Sequence, residues 1–120
     1  MHKLKVIIAG GRDYHFILED IQFLNNLHNE LKFTAIISGG ARGADTEGEI
    51  WAKENNIPIE RYPAQWNHFG RSAGFIRNKL MAKEGDMLIA FPGSKGTAHM
   101  VRIMQEANKN VVEVYEKLGA

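Results

Sequence analysis

Five short apolar runs rich in β-branched and aromatic residues punctuate the chain: Leu4 to Ala9, Phe33 to Ile37, Ile57 to Tyr62, Asp86 to Phe91 and Val111 to Tyr115. Each has the length and composition of a strand. Between them the period changes. Ile17, Ile21, Leu24, Leu27, His28 and Leu31 recur every three or four residues, the spacing that lays one stripe along a helix packed on a sheet. A second helix is predicted over Ala44 to Asn55, with Ala44, Gly48, Trp51, Ala52 and Asn55 on one face and Gly48 admitting close approach to the sheet. A third covers about Arg71 to Lys83. A fourth covers about Thr97 to Asn108, with Met100, Ile103, Met104 and Ala107 as its buried stripe.

Alternating strands and helices predict an α/β fold, a doubly wound parallel sheet of about five strands with helices on both faces, because right-handed crossovers lay each helix over the sheet. The strand order expected is 3-2-1-4-5. No linker, low-complexity tract or repeat interrupts the alternation, so one domain is expected over residues 1–120. The longest irregular piece, "PAQWNHFG" from Pro63 to Gly70, is a candidate binding loop.

Composition narrows the field modestly. No apolar run approaches the roughly 18 residues of a membrane helix, and "MHKLKVIIAG" ends in a glycine turn without a cleavage pattern, so it reads as a first strand. No membrane partner is expected. The chain has no cysteine, which excludes disulfides and thiolate metal sites and fits a cytoplasmic location. A formal charge of +1 gives little drive toward nucleic acid.

The candidate chemistry lies in three glycine loops, "IAGGRD", "ISGGARGAD" and "FPGSKGTAHM", which follow the first, second and fourth strands. In a parallel sheet these loops emerge on one edge, and ligands of open α/β sheets bind there, where the winding reverses. Glycine lets a ligand reach the backbone, and the helix starting beside it offers free amides and partial positive charge to an anion. The expected ligand residues are therefore Gly10, Gly11 and Arg12 in the first loop, Ser38, Gly39, Gly40, Arg42, Gly43 and Asp45 in the second, and Pro92, Gly93, Ser94, Gly96 and Thr97 in the third. Thr97 is expected to cap the fourth helix while donating its hydroxyl, and Asp45 to accept from a ribose. Trp66 is a candidate for stacking on a base.

Neither G-x-G-x-x-G nor a P-loop ending in G-K-S or G-K-T is intact, which argues against a Walker-type ATPase and an ordinary dehydrogenase. No cofactor is expected. The five histidines lack zinc spacing, so no metal is expected either. His99 reads as a surface residue of the fourth helix, and Met100 and Met104 as core. Asp13 and Glu47 are candidate acids or bases near the crevice, although their spacing fixes no catalytic pair. Ser38 has no G-x-S-x-G elbow and reads as a ligand contact at most.

"GGRDY", "SGGARGAD", "GRSAGFIRNKLM" and "FPGSKGTAHM", in this order and covering nearly the whole chain, resemble the SLOG superfamily, specifically its small YspA-type, YpsA-related subgroup. The resemblance implies a Rossmann-like domain that binds nucleotides or nucleotide-derived ligands, and an assembly of at least two copies, a homodimer or higher homo-oligomer. The superfamily includes cytokinin-activating phosphoribohydrolases, the DNA-processing protein DprA and sensor domains of bacterial conflict systems. By similarity to the phosphoribohydrolase branch, Arg77 matches the arginine of an R-K motif and becomes the leading phosphate clamp, with Asn78 in place of the lysine. That branch reads P-G-G-x-G-T-x-x-E; Ser94 stands at the third position here and Met100 replaces the glutamate. Methionine neither handles protons nor stabilises an oxocarbenium-like state.

Three readings follow. The first is a binder of a nucleotide-derived small molecule, an ADP-ribose-like signal or a nucleoside phosphate, acting as sensor or sequestering module. The second is an enzyme cleaving a nucleoside 5'-monophosphate. The third is a single-stranded DNA module of DprA type, with Arg42, Arg71 and Arg77 along a groove and Trp66 or Phe69 stacking on bases.

Overall fold

The computed structural model describes residues 2–115; the remainder of the expected domain, residues 1 and 116–120, lies outside the described residues. The chain runs β1 (Lys5–Ala9), α1 (Leu18–Leu31), β2 (Ala35–Ser38), α2 (Ala44–Glu54), β3 (Ile59–Arg61), α3 (Trp66–Phe69), a 3-10 turn (Gly70–Ser72), α4 (Ala73–Glu84), β4 (Met87–Ala90), α5 (Lys95–Glu106) and β5 (Asn110–Glu113). All neighbouring strands are parallel, in the order β3-β2-β1-β4-β5. This is the expected doubly wound α/β sheet.

Its construction follows from the two-residue period of a strand. Val6 and Ile8 join Ile36, Met87 and Ile89 on one face, under Leu24 of α1 and Trp51 of α2. Ile7 points the other way and joins Ile37, Leu88 and Ala90 under Met81 of α4 and Met100 and Met104 of α5. A central strand covered on both faces needs apolar residues at every position, which is why the β1 run is continuous rather than alternating. Val6, Ile7 and Ile8 are at most 1% exposed. At Gly48 the helix α2 lies so close to β1 that an added Cβ would stand 2.8 Å from Ile8 Cγ2.

The helix stripes needed small corrections. Ile17 stands before α1 as its N-cap residue and is 47% exposed. Asn55 and Ala107 are C-cap residues, Ala107 exposed, and the place given to Ala107 in the buried stripe of α5 belongs to His99. The supposed loop from Pro63 to Gly70 contains α3 and leads into the 3-10 turn. No helix among the described residues is long and apolar enough to cross a membrane.

The Gly48 contact yields a direct check. Gly48→Val introduces branched bulk against Ile8, and overpacking of this kind costs about 1–3 kcal/mol; urea unfolding should show the lower midpoint with an unchanged slope.

Candidate ligand-binding cleft

Because β2, β1 and β4 are adjacent, the loops at their carboxyl ends meet. They meet through backbone. Gly11 N–H donates to Pro92 O at 2.8 Å, and Gly11 O accepts from Ala44 N–H at 3.1 Å, so the first loop is tied to the third and to the start of α2. A Cβ at Gly10 would lie 2.7 Å from Ala44 Cβ and 2.9 Å from Phe91 Cβ. Gly43 has φ +77° and ψ −128°, and a side chain there would run into the carbonyl oxygens of Gly11 and Arg12. Several of the glycines thus serve loop-to-loop docking first. Gly40 and Gly96 differ, since a Cβ at either would meet nothing within 4 Å; these are the glycines that leave backbone open to a ligand.

The docked loops enclose a cleft of about 620 Å³. A smaller one of about 400 Å³ adjoins it, and Arg12, Gly39, Ala41, Arg42 and Arg77 belong to the walls of both. Gly10, Gly11, Asp45, Asn78, Pro92, Gly93, Ser94, Gly96 and Thr97 line the larger cleft, while Gly40 and Trp66 line the smaller. Of the residues expected to hold a nucleotide ligand, all but Ser38 and Gly43 therefore lie on one continuous surface, while the further candidates Glu47, Phe69 and Arg71 do not. Ser38 is buried beneath it. Its hydroxyl donates to Glu49 Oε2 at 2.6 Å and accepts from Gly40 N–H at 3.1 Å, which places it as a brace of the second loop.

Arg77 reaches from α4 across the gap and donates through Nη1 to Gly39 O at 2.8 Å, its guanidinium filling the space a side chain at Gly39 would need. Its Nε donates to Asn78 Oδ1 at 3.1 Å. Asn78 is a buried junction whose Nδ2 also donates to Gly96 O at 3.1 Å and to His99 Nδ1 at 3.2 Å. Since an amide nitrogen only donates, His99 must accept through Nδ1 and carry its proton on Nε2. Burial, then Arg102 and Lys79, lower the His99 pKa and so favour that neutral form. His99 is not the surface residue expected: at 8% exposure it packs against Phe75 and holds the α4–α5 seam.

Thr97 is not a cap. Helix α5 begins at Lys95 after Ser94, which places Thr97 inside its first turn, with the hydroxyl against Gly93. Asp45 likewise lies within the first turn of α2 after Gly43, where one carboxylate oxygen accepts from Ala41 N–H at 3.2 Å. Burial raises its pKa to about 6; the Ala41 hydrogen bond and the Arg77 charge pull the other way. Arg77 itself is lowered by burial, with Asp45 opposing. Asp13 is exposed at the rim, 3.4 Å from Arg42, and Glu47 is occupied by His15 Nδ1 at 2.5 Å and Phe16 N–H at 2.8 Å. Arg71 and Phe69 line neither cleft. No group of three metal-ligating side chains occurs among the described residues.

Sequence reading missed Ala9, Tyr14, Ala41 and Met81 in the larger wall, while Pro63 and Ala64 of the smaller wall belong to the segment expected as a binding loop. Tyr14 is recognisable only afterwards, through its stack on Phe91 at 5.7 Å, a contact between distant segments. Met100 meets the core expectation at 1% exposure, while its edge also forms part of the larger wall.

A five-stranded parallel sheet with its cleft at the winding switch defines a Rossmann-like α/β protein. Residues 4–69 match the YspA, cpYpsA-related SLOG family, and the chain is 35% identical over 124 residues to the Gene 61 protein of Mycobacterium phage D29, spanning 94% of this chain and 98% of that protein. The chain belongs to the YspA, cpYpsA-related SLOG family. No solved structure matches it.

Two outcomes test this geometry. A carboxyl raised from 3.8 to about 6 binds its proton more tightly when folded, so the protein loses stability as pH climbs through that window. Asp45→Asn keeps an acceptor for Ala41 and removes the buried charge; it should gain about 1–2 kcal/mol above neutral pH, within a ceiling on the order of 3 kcal/mol, and the gain should vanish below about pH 4. Melting curves of both proteins across pH would show it. Gly43→Ala, in contrast, forces a side chain into a backbone region reserved for glycine and should cost about 2 kcal/mol or more at every pH.

Proposed function

We propose that the chain binds a nucleotide or nucleotide-derived anion in this cleft, a nucleoside phosphate or an ADP-ribose-like species, and acts as a sensor or sequestering module. The observation that carries the reading is the charge balance where the loops meet. Three guanidinium groups, Arg12, Arg42 and Arg77, line the walls against two carboxylates, Asp13 and Asp45. Arg12 forms no ion pair among the described residues, and Arg77 spends its hydrogen bonds on neutral oxygens. The first turn of α5 adds amides and partial positive charge beside Ser94 and Gly96. Family membership makes nucleotide-related ligands the class to test first.

Binding is favoured over glycosidic cleavage by Met100, which stands where the similar hydrolases place a glutamate, packs with Leu88 and Met104 and offers the cleft only an apolar edge. Binding is favoured over single-stranded DNA by the position of Arg71, away from the cleft walls, which leaves only Arg42 and Arg77 of the three arginines expected along a basic groove.

The test is thermal shift against AMP, ADP, ATP, GTP, NAD, ADP-ribose and a short single-stranded oligonucleotide, with chromatography of each mixture. A ligand at a hundredfold its Kd should add about 2.7 kcal/mol, a shift of several degrees, and remain intact. Arg12→Ala removes a side chain whose one contact with another segment among the described residues is its place over the Trp66 ring, so the unliganded melting temperature should fall by no more than a few degrees while affinity falls about tenfold or more, the worth of a hydrogen bond to a charged group. Release of free base, or a response to the oligonucleotide alone, would overturn the reading.

A further inference from the structure

Asp45 and Arg77 meet over one point of the second loop without pairing. A Cβ at Gly39 would lie 3.0 Å from Asp45 Oδ2 and 2.9 Å from Arg77 Cζ, yet no ion pair joins the two among the described residues. Each keeps a group in reserve. Asp45 Oδ2 accepts from Ala41 N–H at 3.2 Å, while Oδ1 accepts nothing from the described residues. Since no buried side-chain oxygen among those residues lacks a partner, Oδ1 is open to the cleft whose wall Asp45 forms. Arg77 donates through Nη1 and Nε to the neutral oxygens of Gly39 and Asn78, which leaves Nη2 without a partner among the described residues. An anionic oxygen bound at Arg77 is therefore brought beside a carboxyl that has an open oxygen of its own.

We infer that Asp45 is a specificity-determining contact that meets the ligand as a neutral carboxyl, donating from Oδ1 to an anionic oxygen, so that one proton enters the site with the ligand. This deepens the nucleotide reading above and rests on it. Two like-charged oxygens within hydrogen-bond reach do not both stay ionised, and one of them takes a proton. Burial already raises Asp45 to about 6. The charged groups facing it come from three elements. Arg77 of α4 and Arg12 of the first loop hold it ionised, together with the Ala41 N–H, while Glu49 of α2 acts with burial against them. The third loop lines the cleft with no charged side chain, and Asp13 and Arg42 pair with each other at the rim. A bound anion compensates the charges of Arg77 and Arg12 and shuts water away from Oδ1, so two of the three influences that keep Asp45 ionised weaken while the desolvation grows. The opposite role, acceptance from a ligand hydroxyl, favours the carboxylate and expels the proton. The sign of the proton exchange thus tells an anion from a hydroxyl at this wall.

Calorimetric titration of the full chain with ADP-ribose, NAD, AMP, ADP, ATP and GTP, each in two buffers of different ionisation enthalpy, measures the protons exchanged on binding. Subtracting the value for Asp45→Asn with the same compound removes the ligand's own protonation. For the compounds that bind, the difference should be an uptake, about half a proton at pH 6 and approaching one at pH 7. A group that gains a proton on binding holds its ligand less well as pH rises through its unliganded pKa, so the affinity of the wild type relative to Asp45→Asn should fall between pH 6 and pH 8, by up to about tenfold per unit. Asp45→Asn keeps an acceptor for Ala41 and offers an amide N–H in place of the proton, so it should bind about tenfold or more tighter than the wild type at pH 8. A proton released, a difference of zero, or weaker binding by Asp45→Asn at pH 8 overturns the donor role and leaves the nucleotide site standing. Silence from all six compounds, at pH 5.5 as at pH 7, removes the nucleotide reading and this inference with it.

Discussion

Backbone against backbone is the contact on which this site depends. Gly11 lies between Pro92 and Ala44, donating to one and accepting from the other, and the loops can come that near only because positions 10, 43 and 93 carry no side chain toward their neighbours. Two hydrogen bonds fix three loops relative to one another. Everything placed on those loops, from the Arg12 guanidinium to the first turn of α5, inherits its position from that docking. The arrangement also accounts for the glycine-rich spelling of the loops better than ligand access does, because most of these glycines face protein and only Gly40 and Gly96 face open space.

A second layer secures the cleft from the side of α4. The Asn78 amide ties the Arg77 guanidinium, the Gly96 carbonyl and the His99 ring together, so the cation that spans to the second loop and the backbone of the third are held by one side chain. Such a saturated buried network keeps a polar site stiff. Ser38 and Glu49 do comparable service under the second loop. The clefts are therefore framed by hydrogen-bonded parts, with Arg12 and Arg42 as exposed arms at their walls. Asp45 and Arg77 are charges that burial disfavours in this frame, and both stand in the cleft wall.

Much of this was legible in the chain. The five strands, their order and the helix boundaries followed from period and turn chemistry to within two residues, because an α/β sheet advertises itself through continuous apolar strands alternating with helical stripes. Most residues of the cleft walls were legible too, since parallel strands deliver their loops to a common edge. What was hidden was pairing across the sequence. His99 read as exposed because its partner Asn78 lies 21 positions away, and only the packing of α4 on α5 brings them together. Thr97 looked like a cap because threonine often is one; the true start of α5, after Ser94, uses a backbone conformation that no local residue preference discloses. Trp66 appeared to lie in a long loop, whereas four residues there close into a helix.

The central claim is that three separate loops form a single ligand surface. The most direct measurement is an amide chemical-shift titration of the isotopically labelled protein with ADP-ribose. The account predicts that the amides of Gly11, Gly40 and Gly96 move together along one saturation curve, accompanied by the Trp66 indole N–H. Shifts confined to one loop, or clustered on the opposite edge of the sheet, would contradict it.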